Sequence, residues 1–235
     1  QAAAAVLWGT FMHNGQVCES GTRALVQRGI YDEFVSLLAD RAGKIQLGDQ
    51  LDMNTDLGPL VHRSQVETAE RYVALGREEV GEPIVGGSSP AAMPGNLDPK
   101  AFFQPTIFAD VDNSARIAQE EIFGPVLCVI PFDTDDEAVA IANDSIYGLA
   151  GGVQSGDLDR ARSVAARMRT GTVWINDYHL IDPQRPFGGY KQSGIGRELG
   201  TFGFDAYRQV KHVHVNPETS GRDNHFHYPL LSPHI

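Results

Sequence analysis

The chain has 235 residues, and its 30 acidic against 19 basic side chains give a formal net charge of −11. This balance argues against a protein that binds nucleic acid or a membrane surface, because both need a basic face to meet their phosphates. With 42% apolar residues the chain can bury the core of one large domain or two small ones, which excludes disorder over most of its length. Its longest uninterrupted apolar stretch, residues 2–8, is far shorter than the ~20 residues that span a bilayer.

The cysteine content indicates the compartment. Cys18 and Cys128 could form at most one disulfide, which is too little to stabilise a domain of this size, so we expect a reducing, cytoplasmic location. The first residue is Gln1, and it opens directly onto an apolar run of good helix formers without an N-cap. We therefore expect the sequence to be a piece of a longer chain.

Hydrophobic periodicity and turn residues predict alternating helices and strands along the chain. Helices are predicted over residues 1–15, 31–45, 64–79 and 115–120, after the acidic cluster 133–136, and over 158–168; strands are predicted over 22–28, 83–86, 104–111, 125–132, 150–154 and 172–176. Strands joined through helices need crossover connections, so we predict an α/β fold with a mostly parallel twisted sheet flanked by helices. Residues 125–132 are apolar without alternation, which is typical of a strand buried on both faces.

The C-terminal part of the sequence changes in character. Residues 187–203 are rich in glycine, and residues 209–215 alternate cleanly, which predicts a strand that is half exposed or paired with a partner. The tail, residues 217–235, is expected to be weakly ordered. Its three histidines, His225, His227 and His234, have no supporting cluster of carboxylates or cysteines, so we predict no metal site.

The two cysteines have different surroundings. Cys128 lies within an apolar run and is predicted to be a core residue. Cys18 lies on a glycine-flanked turn between a helix and a strand, where a thiol can be exposed. Taken alone, this position fits either a reactive thiol or an inert turn cysteine.

A second candidate site lies before the buried strand. Glu120 and Glu121 precede an aromatic residue and a Gly-Pro turn, and a carboxylate near a strand end could accept the paired hydroxyls of a ribose. Solvated glutamates at a turn are the alternative. The glycines Gly194, Gly196 and Gly200 are spaced one residue too widely for the dinucleotide-binding fingerprint, so they predict a long loop rather than a phosphate site.

Five motifs together resemble those of one family, the NAD(P)-dependent aldehyde dehydrogenases, in their catalytic half. In chain order they are Asn14-Gly-Gln-Val-Cys18, Glu121-Ile-Phe-Gly-Pro-Val126, Tyr147-Gly-Leu149, Gly171-Thr-Val-Trp-Ile-Asn176 and Pro186-Phe-Gly-Gly-Tyr-Lys-Gln-Ser-Gly194. They extend over most of the chain before the tail.

The resemblance implies a role for several residues. Cys18 would be the nucleophile whose thiolate attacks the aldehyde carbon, and its backbone N–H would help to hold the oxyanion. Glu121 would bind the ribose beside the nicotinamide of NAD or NADP, and Phe123 would contact the same end of the cofactor. Phe187 would line the substrate funnel, and residues 177–184 would form the variable loop that shapes specificity.

The resemblance also implies a general base. It places this glutamate in a Glu-Leu-Gly-Gly motif about thirty residues before the cysteine, whereas 17 residues precede Cys18 here. Glu19 is adjacent, but neighbouring side chains of an extended chain point apart, so we do not expect it to replace that base. We therefore expect little NAD-dependent turnover from the isolated 235-residue polypeptide.

The resemblance also implies partners and a division of the chain. Residues 1–208 would form the catalytic domain, and residues 209–216 an oligomerisation strand that pairs with a second subunit in a homodimer or homotetramer. The small-molecule partner would be an aldehyde. Two alternatives stay open: a non-catalytic fragment that acts as an assembly or interaction module, and a cysteine esterase that retains nucleophilic attack alone.

Overall fold

The computed structural model describes residues 1–215 and residue 217. Within them the helices are α1 Ala2–Phe11, α2 Tyr31–Ala42, α3 Arg63–Glu79, α4 Arg116–Gln119, α5 Asp135–Asn143, α6 Leu158–Arg167 and α7 Gly200–Asp205. The strands are β1 Arg23–Gln27, β2 Thr106–Phe108, β3 Val126–Phe132, β4 Ala150–Val153 and β5 Thr172–Ile175. None of these helices is long and apolar enough to cross a bilayer.

All strand pairs are parallel, which confirms the predicted α/β class. In the described part of the chain the strands are divided between two sheets, one with the order β1-β3-β2 and one with β4 beside β5. The structure thus has the predicted parallel pairing and flanking helices, but β1 and β4 are not paired with each other.

Strand β3 is the centre of the core. Its residues 126–130 are all buried, as the uninterrupted apolar run predicted. One face packs Leu127 and Val129 in a cluster with Phe11 and Leu38, and the other packs Cys128 in a cluster with Val66. Because each such buried aliphatic side chain contributes roughly 1.5–3 kcal/mol, this strand fixes the positions of the loops at its ends.

Side-chain caps start the two helices that lead into the second sheet. The Thr134 hydroxyl accepts a hydrogen bond from the N–H of Glu137 at 3.2 Å, and the Asp157 carboxylate accepts those of Asp159 and Arg160, both at 3.0 Å. These bonds satisfy N–H groups that have no partner within the helix. In chain order α5 connects β3 to β4, and α6 connects β4 to β5.

A cavity of about 630 Å³ lies between the two sheets. Residues 22–27 of the β1 region and residues 149–154 of the β4 region line it from opposite sides, together with residues of α1 and of the loop before β3. Loops that carry several of the motifs open into this cavity, which is therefore the candidate functional site.

Two predicted strands differ from the structure. Residues 83–86 contribute only a single antiparallel bridge between Val85 and Ile107, since Pro83 lacks the N–H that a longer ladder needs. Residues 209–215 form no strand and are exposed, because no strand in the described part of the chain offers them hydrogen bonds. Residues 216 and 218–235, with His225, His227 and His234, lie outside the described residues.

Candidate active site

Cys18 lies in a tight turn that follows α1. After the helix, His13, Asn14 and Gly15 have left-handed backbone angles, with φ of 49°, 59° and 68°. The N–H of Ser20 then donates to the carbonyl of Val17 at 3.0 Å, so Cys18 and Glu19 are the two central residues of a β-turn. The chain at Cys18 is therefore not extended, and the side chains of residues 18 and 19 need not point apart.

The turn is fixed by contacts with two other loops. The Asn14 amide donates to the carbonyl of Gly58 at 3.2 Å, and the Gln16 side-chain oxygen accepts the N–H of Val61 at 3.0 Å. On the other side, a Cβ at Gly15 would overlap the carbonyl oxygen of Gly124. Glycine is thus required at position 15 both for the positive φ and for the close approach of two backbones.

The thiol of Cys18 donates a hydrogen bond to Glu19 Oε2, with an Sγ–Oε2 distance of 3.0 Å. Partial burial and the adjacent Glu19 carboxylate raise the pKa of this thiol to about 11, and the backbone N–H groups of residues 18 and 19 offset only part of that rise. The expectation that Glu19 points away from Cys18 was wrong, because it assumed an extended chain where the structure has a turn.

Glu19 is buried and has a second polar neighbour. Its side chain is only 5% exposed, and its Oε1 lies 3.2 Å from Nδ1 of His179, whose side chain is 3% exposed. The other ring nitrogen, Nε2, lies 3.1 Å from the carbonyl oxygen of Gly9 in α1. Cys18, Glu19 and His179 therefore form one connected polar chain from the cavity into the interior.

The loop after β5 brings His179 to this position. Tyr178, just before it, donates its hydroxyl to the carbonyl of Glu19 at 3.0 Å, and burial raises the pKa of that phenol. The Trp174 indole N–H donates to the carbonyl of Leu180 at 2.8 Å, which folds the loop back on β5. This loop lies within residues 177–184, for which sequence reasoning predicted a role in specificity but named no histidine.

Glu121 and Phe123 lie in the segment between α4 and β3. Both are exposed, whereas Ile122 between them is buried, and the positive φ of 54° at Phe123 shows that the segment is not the extended strand that sequence reasoning assumed. The Gln65 side chain on α3 donates to the carbonyls of Ile122 and Phe123, each at 2.8 Å. Gln65 was missed by sequence analysis, because nothing in the helical pattern of α3 shows what its polar face contacts.

The structure brings three of the four predicted site residues together. Cys18, Glu121 and Phe123 all line the cavity between the two sheets. Phe187 is not among the residues lining it, and its segment instead bridges to Glu198. Neighbouring Glu120 also lines the cavity, and its hydrogen bonds with Arg116 and Tyr72, each at 2.7 Å, lower the pKa of its carboxyl.

The described residues contain no group of three or more histidine, cysteine or carboxylate side chains that could hold a metal ion. The cavity lining includes the thiol of Cys18 and the carboxylates of Glu19 and Glu121 among its polar groups.

Comparison with known proteins places this arrangement in a family. A family model described as the aldehyde dehydrogenase family matches residues 1–213. The chain belongs to the aldehyde dehydrogenase family. All five motifs lie within the matched residues, including the turn of Cys18 and the segment of Glu121.

Individual aldehyde dehydrogenases give the extent of the match. The chain is 47% identical over 206 residues to a betaine aldehyde dehydrogenase of Bacillus subtilis, which covers 88% of this chain and 42% of that protein. A solved betaine aldehyde dehydrogenase of Staphylococcus aureus in complex with NAD+ superposes with a TM-score of 0.88 at 45% identity, covering 94% of this chain and 44% of that one. A mutant aldehyde dehydrogenase of Bacillus cereus superposes with a TM-score of 0.86 at 41% identity, covering 92% and 43%. The chain therefore spans less than half the length of these aldehyde dehydrogenases.

Proposed function

We propose that this polypeptide supplies the nucleophile and the nicotinamide end of the cofactor site in an enzyme that oxidises an aldehyde to a carboxylic acid with NAD or NADP. The observation that carries the proposal is that Cys18, Glu121 and Phe123 line one cavity. Family membership supports the reaction class, and betaine aldehyde dehydrogenases among the relatives support an aldehyde as the substrate.

Cys18 begins the reaction. Its thiolate adds to the carbonyl carbon of the aldehyde, and the backbone N–H of Cys18 is available to the oxygen that becomes negatively charged. Oxidation of the resulting thiohemiacetal gives a thioester on Sγ, and its hydrolysis releases the acid and returns the thiol. The exposed position of Cys18 at the cavity suits a nucleophile that must meet a diffusing substrate.

Glu121 and Phe123 suit one end of a nicotinamide cofactor. An exposed carboxylate can accept two neighbouring ribose hydroxyls, and an exposed aromatic ring beside it can pack against the sugar or the ring that it carries. Because Gln65 fixes the intervening backbone, both groups are held before the ligand arrives. When bound, NAD or NADP supplies the hydride acceptor for the oxidation.

The role of Cys18 is tested in the full-length enzyme with Cys18→Ala. We expect aldehyde-dependent NAD(P)H formation to fall at least about a thousandfold, because the covalent route is lost. Cys128→Ala is the matched control and should retain most of the turnover, since Cys128 is buried in β3. Near-normal turnover of Cys18→Ala would contradict the proposed function.

A second candidate role, assembly, is favoured by the end of the described chain. Large apolar side chains are unusually exposed there: Phe202 by 63%, Phe204 by 66%, Tyr207 by 91%, Val210 by 99%, Val213 by 72% and Val215 by 74%. Several exposed apolar side chains within one short segment are typical of an interface. We propose that it pairs with a second copy of the chain, with residues 209–216 as the oligomerisation strand.

Sedimentation velocity tests the assembly. Replacing both Val213 and Val215 with Glu should shift a dimer or tetramer to monomer, whereas replacing both His212 and His214 with Glu, on the opposite face of the proposed strand, should do so less. A wild-type protein that sediments as a monomer at micromolar concentration would contradict the proposed pairing.

A further inference from the structure

The buried pair of Glu19 and His179 has no place in the chemistry described so far. Both side chains are more than nine-tenths buried, yet they connect through Glu19 to the Sγ atom that reacts. Burying two ionisable groups is costly unless each is paired and hydrogen-bonded. The costly buried pair lies directly beside the nucleophile, and this position points to a functional role.

Hydrogen-bond chemistry fixes where the protons are. A carbonyl oxygen can only accept, so the contact with Gly9 requires a proton on Nε2 of His179. The Nδ1–Oε1 contact at 3.2 Å then needs one further proton, which lies either on Nδ1 or on Glu19. In both cases the Glu19–His179 pair is neutral as a whole, whereas Glu19 without the histidine proton is a bare carboxylate beside the thiol.

We propose that Glu19 accepts the proton of the Cys18 thiol and that His179, as an imidazolium, balances the charge of the thiolate. The S–H bond breaks, a new O–H bond forms on Oε2, and Nδ1–H continues to donate to Oε1. Before the transfer the charges are on Glu19 and His179; afterwards they are on Cys18 and His179. No charge is created in the buried site, and neither an oxidant nor a cofactor is needed.

Glu19 is then a catalytic residue because it touches the reacting sulfur, and His179 is a positioning residue that acts through Glu19. The inference rests on the proposed role of Cys18, but it concerns the thiol alone. The other titratable group on this pair is Tyr178, which burial keeps neutral and whose hydroxyl donates to the Glu19 carbonyl. From α1 and β5 the histidine meets Trp8 and Trp174, and neither ring titrates.

The charge on the pair determines how readily the thiol gives up its proton. With the imidazolium of His179 in place, the charge of the Glu19 carboxylate is balanced; without it, the uncompensated carboxylate further opposes ionisation of a thiol whose pKa is already raised to about 11. An ordinary thiol gives a single step near pH ~8.5.

The experiment measures the rate of alkylation of Cys18 by iodoacetamide from mildly acidic to strongly alkaline pH, without aldehyde or NAD, using the whole chain and assigning the modified peptide by mass spectrometry. For His179→Asn we expect the rate at neutral pH to fall at least about tenfold, because the variant lacks the positive charge that balances the thiolate. His212→Asn, at an exposed histidine, is the matched control and should be unchanged.

The double variant Glu19→Gln/His179→Asn separates charge balance from packing. If His179 offsets the charge of Glu19, removal of the carboxylate should restore alkylation at neutral pH to that of an ordinary thiol. A general loss of packing would not be rescued in this way. The proposal is overturned if His179→Asn leaves the profile unchanged, or if the double variant stays as slow as the single one. An inactive full-length Cys18→Ala enzyme, together with an alkylation rate that His179→Asn leaves unchanged, would overturn this proposal and leave the proposed function standing.

Discussion

The two cysteines show how differently one residue type behaves in two regions of the molecule. Cys128 lies in the middle of β3 with 1% exposure, and burial raises the pKa of its thiol to about 12. Cys18 lies on a β-turn at the mouth of a cavity, exposed and hydrogen-bonded to Glu19. Although the pKa of each thiol is raised, only Cys18 has a neighbour that can take its proton. The two thiols therefore differ in exposure and in hydrogen-bond partner, and not in the direction in which their pKa values are shifted.

The largest expected difference between the two cysteines is in their rates of chemical labelling. In the folded chain we expect iodoacetamide to modify Cys18 at least about a hundredfold faster than Cys128, because opening of a buried core strand is rare. In urea the two rates should converge. Peptide mapping after timed quenching measures both sites in one sample, and comparable native rates would show that β3 is not the closed core described above.

The next largest effect is expected from substitution of Gly15, which lies beside Cys18 and far from Cys128 in sequence. Gly15→Ala should reduce the free energy of unfolding by about 2 kcal/mol or more, because a left-handed backbone costs a residue with a side chain roughly 1–2 kcal/mol and the new Cβ also meets Gly124. Urea denaturation gives this value. Gly29→Ala is the control, since a Cβ there has open space around it. Labelling of Cys18, and not of Cys128, should change in the Gly15 variant, and an unaltered Cys18 rate would contradict the coupling between this glycine and the turn.

The smallest expected effect is that of Cys128→Ala. Loss of one buried sulfur atom should reduce the free energy of unfolding by about 1 kcal/mol, below the roughly 2–5 kcal/mol of larger core truncations. The same substitution at exposed Cys18 should change stability by less than about 0.5 kcal/mol. A larger loss at position 18 than at position 128, measured by urea denaturation, would reverse the comparison.

Much of the fold could be predicted because its signals are local. The apolar run of β3, the helical spacing of α2 and α3 and the acidic cluster at the start of α5 each lie within a short stretch of sequence, and the structure has the predicted element at each place. The alternating segment 209–215 is different, because alternation predicts a strand only where a partner supplies hydrogen bonds. Periodicity describes the faces of a segment and does not identify what pairs with it.

The candidate site was predictable only in part for the same reason. Motifs identified Cys18, Glu121 and Phe123, which the structure brings to one cavity. His179 is 160 residues from Glu19 along the chain, and only the β5 loop brings them together. The contact between Cys18 and Glu19 depends on a single turn hydrogen bond, between Ser20 and Val17, that no residue type in the sequence announces.

The meeting of Gly15 and Gly124 has a consequence for redesign of this molecule. The turn that carries the thiol and the segment that carries Glu121 and Phe123 touch through main-chain atoms at this point. The spacing between them is therefore set without any side chain. Residues that face the cavity can be exchanged to suit other ligands while that spacing persists, whereas a single methyl group at position 15 would push the two segments apart.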